Sequence, residues 1–336
     1  MKNWLLIIIF GIVFVSCEND VERQKIIMTS NIQSQTKALV MDNNVLGSLG
    51  FGVMCYSKEN GTFDPLTDSP NYYYNLKVYK FSSAWVTSAS LYWPESAKVS
   101  FVAYAPYSTS ENGITLTPST QVGFPTISYI ANNIDITKQV DLCYSTPQLN
   151  KTQNDGTIAF TFNHSLSKIS FSAKNYYDYD TISGCKIKSI RLTNIINKGS
   201  ILLNSNPSWT PSALISDTGS YNLSISNSML RDLKLNLDYQ LINQTNACLM
   251  LIPQNIDIST SKLEVVTSDL NGVDIKTSYI TLNAMGITQL TRGQNLNIRL
   301  SVISGNVYAD FVIIPWDTFT FTESTIGKKR LTNKIF

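Results

Sequence analysis

Hydrophobic and polar residues alternate with a period of two along most of the chain. Leu233, Leu235, Leu237, Tyr239 and Leu241 are each separated by a polar or charged residue. The same pattern runs through Ile169, Phe171 and Ala173, through Tyr221, Leu223 and Ile225, and through Leu296, Ile298, Leu300 and Val302. Strict alternation predicts strands with one face in a core and the other in water. Turn dipeptides separate the runs at Asn60-Gly61, Asn112-Gly113, Asp155-Gly156, Ser183-Gly184, Asn271-Gly272 and Ser304-Gly305. Their glycines supply the positive φ that tight hairpins require. The clearest hairpin runs from Leu263, Glu264, Val265 and Val266 through Asn271-Gly272 into Val273, Asp274, Ile275 and Lys276. No long segment carries a helical stripe, and at most a turn or two is expected between Asn133 and Val140. Many short strands with frequent turns imply all-β sandwiches. The polar, turn-rich segment 151–156 marks a domain boundary there or just after Phe162.

Composition narrows the class further. The 336 residues are enough for two domains with substantial cores. Charged residues make up 15% of the chain, against about 25% in typical soluble proteins. Ser, Thr, Asn and 17 Tyr take their place, which suits exposed β-sheet. A net charge of +2 gives no reason to expect a nucleic-acid partner. The main basic cluster, Lys328, Lys329, Arg330 and Lys334, reads as a solvated tail over residues 321–336.

The N-terminus adds a destination. Lys2 precedes a continuous apolar run from Trp4 to Val15, interrupted only by Gly11. A spanning helix needs about 20 apolar residues, so the run fits the apolar region of a secretory signal, residues 1–16. Ser16-Cys17 resembles the lipobox of bacterial lipoproteins, which would make Cys17 the lipid-bearing first residue of the mature chain. Each buried acyl CH₂ contributes about 0.8 kcal/mol, so a multiply acylated Cys17 would hold the protein on the outer membrane. Residues 17–25 then form a linker, and its acidic Glu18 and Asp20 resemble a surface-export signal of Bacteroidetes lipoproteins. Export permits disulfides among Cys55, Cys143, Cys185 and Cys248, and four cysteines allow three connectivities. Cys55, Cys143 and Cys248 lie in apolar, strand-like runs, where a free thiol packs as a small hydrophobe, and unpaired thiols are expected.

Motifs for chemistry are missing. The single histidine, His164, does not make a multi-histidine zinc site. No G-x-S-x-G elbow accompanies it, and there is no CxxC, no phosphate-binding glycine loop and no EF-hand loop. We therefore expect no enzyme, no cofactor and no metal. Trp85 and Trp209, with the tyrosines at 72–74, could contact a glycan or a partner protein, or could simply pack across strands.

Several segments, in order, resemble the fimbrillin (Mfa-like) family of Bacteroidetes surface proteins. Residues 27–40 (IMTSNIQSQTKALV) resemble the strand and Thr-Arg-Ala segment near a fimbrillin N-terminus. Trp93-Pro94 leading into 99–106 (VSFVAYAP), 141–145 (DLCYS) and 160–169 (FTFNHSLSKI) follow. Residues 187–195 (IKSIRLTNI) and 251–254 (LIPQ) complete the series. The resemblance implies two tandem transthyretin-like β-sandwich domains, expected at 26–163 and 164–320. It also implies a fimbrial subunit that assembles with other subunits by donor-strand exchange. In such a subunit a first strand, here 25–37, is removed by a protease, and a terminal strand of a neighbour refills its groove. The candidate donor is 307–316, with Val307, Ala309, Phe311 and Ile313 on one face. The family's Arg is replaced: the segment reads Thr36-Lys37-Ala38. Either a Lys-directed protease cuts at Lys37, or the strand stays and the subunit acts as a lipid anchor or a monomeric surface protein. A host or bacterial surface receptor would be a further partner. A glycan-binding surface lipoprotein is the alternative reading.

Overall fold

The computed structural model describes residues 23–32, 41–175, 186–224, 239–241, 248–269, 271–303, 305–314 and 316. Strands dominate it, arranged in several sheets, as the alternation predicts. The largest has eight strands, in the order Met28–Ile32, Ile158–His164, Cys143–Ser145, Lys98–Ala105, Phe51–Lys58, Tyr73–Phe81 and Ala84–Thr87, with Gln148–Lys151 also pairing on Lys98–Ala105. A five-stranded sheet runs Gln240–Leu241, Ser167–Asn175, Asn295–Ile303 and Asn306–Ile314, with Cys248–Leu251 also on Ser167–Asn175. A four-stranded sheet holds Thr218–Ser224, Lys186–Ile196, Lys262–Ser268 and Asp274–Thr281. The Asn271-Gly272 hairpin forms as expected: Thr267 lies opposite Lys276, and Gly272 takes φ +83°.

Phe51–Lys58 is buried on both faces through its first six residues. Phe51, Val53 and Cys55 enter one apolar cluster with Phe101, Phe160 and Phe162. Met54 and Tyr56 enter a second cluster with Ile127, Tyr129 and Ile201. A further sheet runs Ser208–Pro211, Lys198–Leu202, Thr126–Ile130 and Ile114–Leu116. It joins segments from both sides of position 163, with Thr126–Ile130 antiparallel to Lys198–Leu202. The ranges expected as separate domains therefore share a sheet and the second cluster.

Two local features differ from the sequence expectation. Asn43–Leu49 is a short α-helix that the periodicity does not reveal. Its ends explain it: the Asp42 carboxylate accepts from the N–H groups of Asn44 and Val45, and Gly50 closes the helix at φ +72°. Between Asn133 and Val140, by contrast, the expected short helical turn is present, as the 3-10 turn Ile136–Lys138. Ser167–Asn175 was expected to wet one face, yet Lys168, Ser170 and Ser172 are buried. Hydrogen bonds make this tolerable. Ser170 Oγ donates to Asn295 Oδ1 at 3.0 Å, and Ser172 Oγ to Asn297 Oδ1 at 2.7 Å, across the parallel pair with Asn295–Ile303.

The smaller cluster is built around Phe51. Its ring meets Phe162 at 5.2 Å, Trp85 at 5.4 Å and Phe160 at 5.6 Å, each edge to face. Replacing Phe51 by Ala should cost about 3–5 kcal/mol by lost burial and an unfilled cavity. Urea unfolding of the variant measures this. A loss below about 1 kcal/mol would mean the cluster collapses around the gap.

Candidate functional site

The first described strand forms one edge of the large sheet. Met28–Ile32 lies parallel to Ile158–His164, with Met28 opposite Ile158 and Ile32 opposite Phe162. The residues just before it are held on the other side. Ile26 N–H donates to Leu91 O at 2.8 Å, Trp93 N–H donates to Gln24 O at 2.9 Å, and Lys25 bridges Tyr92. Alternation then directs side chains inward. Ile26, Met28 and Ile32 are buried in the Phe51 cluster, whereas Ile27 is 57% exposed. Ser30 occupies the inward position between Met28 and Ile32, and its buried Oγ has no hydrogen-bond partner. Taking this strand away would uncover an apolar slot and free one edge of Ile158–His164.

The candidate donor is folded on its own chain. Asn306–Ile314 pairs antiparallel with Asn295–Ile303, where Val307 faces Val302, Ala309 faces Leu300, Phe311 faces Ile298 and Ile313 faces Leu296. Val307 is buried, Ala309 and Phe311 pack against the larger cluster, and Ile313 is 59% exposed. Arg299 grips the strand through Asp310, Nε to Oδ1 at 2.6 Å and Nη2 to Oδ2 at 2.8 Å. The expected lipidation site Cys17, the expected cleavage pair Lys37 and Ala38, Cys185 and the tail 321–336 lie outside the described residues.

A buried polar junction, which the sequence reading did not assemble, sits between these two strands. Asp141 Oδ2 accepts from the Met41 N–H at 3.0 Å and lies 2.7 Å from His164 Nδ1. The His164 ring stacks on Trp316, with centroids 4.3 Å apart and planes 16° from parallel. Lys168, wholly buried, donates from Nζ to Trp316 O at 2.9 Å. The signal in the sequence is the 160–169 motif, where His164 closes one strand and Lys168 stands at the start of the next.

Cys143 completes the cluster, its Sγ 3.7 Å from His164 Nδ1. This is not a catalytic triad. A base uses one ring nitrogen for the nucleophile and the other for its orienting acid, but here thiol and carboxylate face the same nitrogen. The three ligand atoms lie within 4.8 Å of one another, a spacing that a cation could bridge. Burial, and then the charge of Asp141, pushes the Cys143 thiol pKa well up, which opposes the thiolate a metal needs. Burial likewise raises Cys55 and Cys248, and all three thiols are free.

The candidate contact residues are engaged within the chain. Trp209 Nε1 donates to Ser165 O at 2.6 Å, and its ring meets Tyr129 edge-on at 6.2 Å. Trp85 packs on Phe51 with Lys80 over its face. The tyrosines at 72–74 hydrogen-bond to the carbonyls of Tyr92, Ser90 and Thr117. An open cleft of about 670 Å³ is lined by Asn133, Thr193, Asn194 and Asn222 among others, and contains no aromatic ring.

A family model for fimbrillin-like proteins matches residues 36–327. The chain belongs to the fimbrillin-like family. Among solved structures, this fimbrillin-like chain is similar to a fimbrial protein from Bacteroides vulgatus, with a TM-score of 0.63 and 19% identity over 87% of this chain and 99% of that one. It is also similar to a protein from Bacteroides uniformis described as a candidate cell adhesion protein, with a TM-score of 0.59 and 15% identity over 88% of this chain and 99% of that one. At these identities the likeness is one of fold. No curated protein matches the sequence.

Two outcomes follow from this geometry. Ser30→Ala removes a buried hydroxyl that has no partner and should stabilise the protein by about 1 kcal/mol, read as a higher urea midpoint. A lower midpoint would show that the hydroxyl is satisfied in solution. Cys55 and Cys143 should resist iodoacetamide in the native protein and react fully in urea, as mapped by peptide mass spectrometry. Rapid native labelling of either would contradict the burial described here.

Proposed function

We propose that this protein is a structural subunit of a cell-surface fimbria, and that it polymerises by β-strand addition after losing its own first strand. Family membership supports the fimbrial role, and the fimbrial protein of similar fold supports the architecture. On this reading the ranges 26–163 and 164–320 are tandem transthyretin-like sandwiches joined through the sheet in which Thr126–Ile130 pairs with Lys198–Leu202. Cys17 carries the lipid that takes the precursor to the outer membrane, and a protease cuts between Lys37 and Ala38. The observation that carries the mechanism is the Ile26, Met28 and Ile32 plug. These side chains complete a core from a strand held at the sheet's edge, next to the candidate cut. A second chain's strand could supply the same main-chain hydrogen bonds and alternate side chains. The Asn306–Ile314 strand has the length for that role, although its alternation breaks at the end, where Ile313 is exposed and Ile314 buried.

The slot cannot stay empty, because an unpaired, apolar sheet edge invites uncontrolled association. The first strand therefore acts as a guard until assembly. Terminal sequencing and intact mass of the protein recovered from cell-surface fibres test the reading. Chains beginning at Ala38 are expected. Chains that all begin at lipidated Cys17 and retain residues 25–37 would overturn the polymerising role and leave an anchor or a monomeric surface protein.

A further inference from the structure

The buried junction at Asp141 touches both ends of the proposed assembly device. Met41 follows the Lys37–Ala38 bond by three residues, and its N–H is held by Asp141 Oδ2. The same carboxylate oxygen binds His164, and His164 lies flat against Trp316, two residues beyond the last strand. Lys168 fixes the Trp316 carbonyl from the neighbouring strand. One buried carboxylate thus connects the segment at the cut with the anchor of the C-terminal strand.

We propose that Asp141, His164, Lys168 and Trp316 form a latch that keeps the Asn306–Ile314 strand docked on its own chain until the first strand is removed. The inference rests on the reading that the chain is cut after Lys37. Before the cut, residues on both sides of 33–40 are fixed, by the Met28–Ile32 pairing and by the Met41 N–H bond. After the cut and loss of the first strand, Met41 is the fourth residue from a free end and loses its upstream tether. Fraying there takes a hydrogen bond from Asp141, in a site where water does not compensate. The carboxylate then reorients, His164 loses its fixed position, and the face on which Trp316 stacks is no longer held. The order of events is the benefit. A donor strand released before the groove opens would have nowhere productive to go, and its exposed edge would pair at random.

Hydrogen exchange of residues 306–314 tests the latch directly. The full chain, carrying a specific protease site between Lys37 and Ala38, is compared before and after cleavage and removal of the strand. Cleavage should speed exchange in 306–314 about tenfold while leaving Lys262–Ser268 unchanged. Asp141→Ala, which removes the oxygen shared by Met41 and His164, should produce the same local rise in the uncut chain. Trp316→Ala removes the far end of the latch and leaves the Met41 bond. It should speed exchange in 306–314 without cleavage and abolish any further effect of the cut. Unchanged exchange at 306–314 after cleavage would overturn the latch. So would a rise shared equally by every strand, which would mean general destabilisation. Fibre formation is not the readout, so the two ideas fail separately. Native chains that are never cut would end the maturation reading, whereas a silent exchange response would end the latch alone.

Discussion

Asp141 brings a carboxylate to a place that water does not reach, and the chain meets that cost at one oxygen, Oδ2, while Oδ1 has no hydrogen-bond partner. A buried charge without partners is expensive, and even a paired one is retained at some loss against an apolar replacement. Here the side chain collects a backbone N–H from Met41 and the ring of His164. The Leu142 carbonyl beside it receives both the Ser165 N–H and the Ser165 hydroxyl. These contacts pin the turn between Ile158–His164 and Ser167–Asn175, where the large sheet hands the chain to the five-stranded one. Trp316 and Lys168 pack on the same turn. Several distant segments are therefore fixed against one another at a single point, and a hydrophobic pair of equal volume would not set their relative register in this way.

Most strands were legible because one side of each had to be apolar. Ile169, Phe171 and Ala173, and Leu296, Ile298, Leu300 and Val302, are buried as their spacing predicts. What alternation misjudged was the other side of the same strands. Asn295, Asn297, Ser170 and Ser172 look like water-facing residues, yet they bond to one another inside the protein. A polar residue reports only that its hydrogen bonds must be met, not by whom. Lys168 is harder still to foresee, since a lysine is almost never fully buried without a partner, and its partner is a carbonyl 148 residues away. The 251–254 motif shows the same gap between pattern and reason. Gln254 matters because its carboxamide accepts from Ile196 N–H and donates to Ile196 O, imitating a paired strand where the sheet has none.

The exposed sheet edges carry their own protection. Asp274–Thr281 borders its sheet and is open to water through most of its length. Asp274 and Lys276 sit near its start, and Lys188 reaches Asp274 at 2.5 Å from Lys186–Ile196, the next strand but one. Charges so placed discourage a second chain from adding there. Asn306–Ile314 is another edge strand, and Arg299 with Asp310 holds it inward by a two-pronged contact. The buried side chains that Ile26, Met28 and Ile32 pack among are apolar, and this strand is what covers them.

The first strand lies parallel to a strand far downstream, and parallel neighbours cannot be joined by a tight turn. A chain is made from its N-terminus. The plug therefore exists long before its slot, because Ile158–His164 and the strands beside it must be in place before Met28 and Ile32 have anywhere to settle. A non-local parallel pairing of this kind is intrinsically slow to form. A chain whose other strands close first presents a vacant edge, and there a strand from another molecule competes with the chain's own on equal chemical terms.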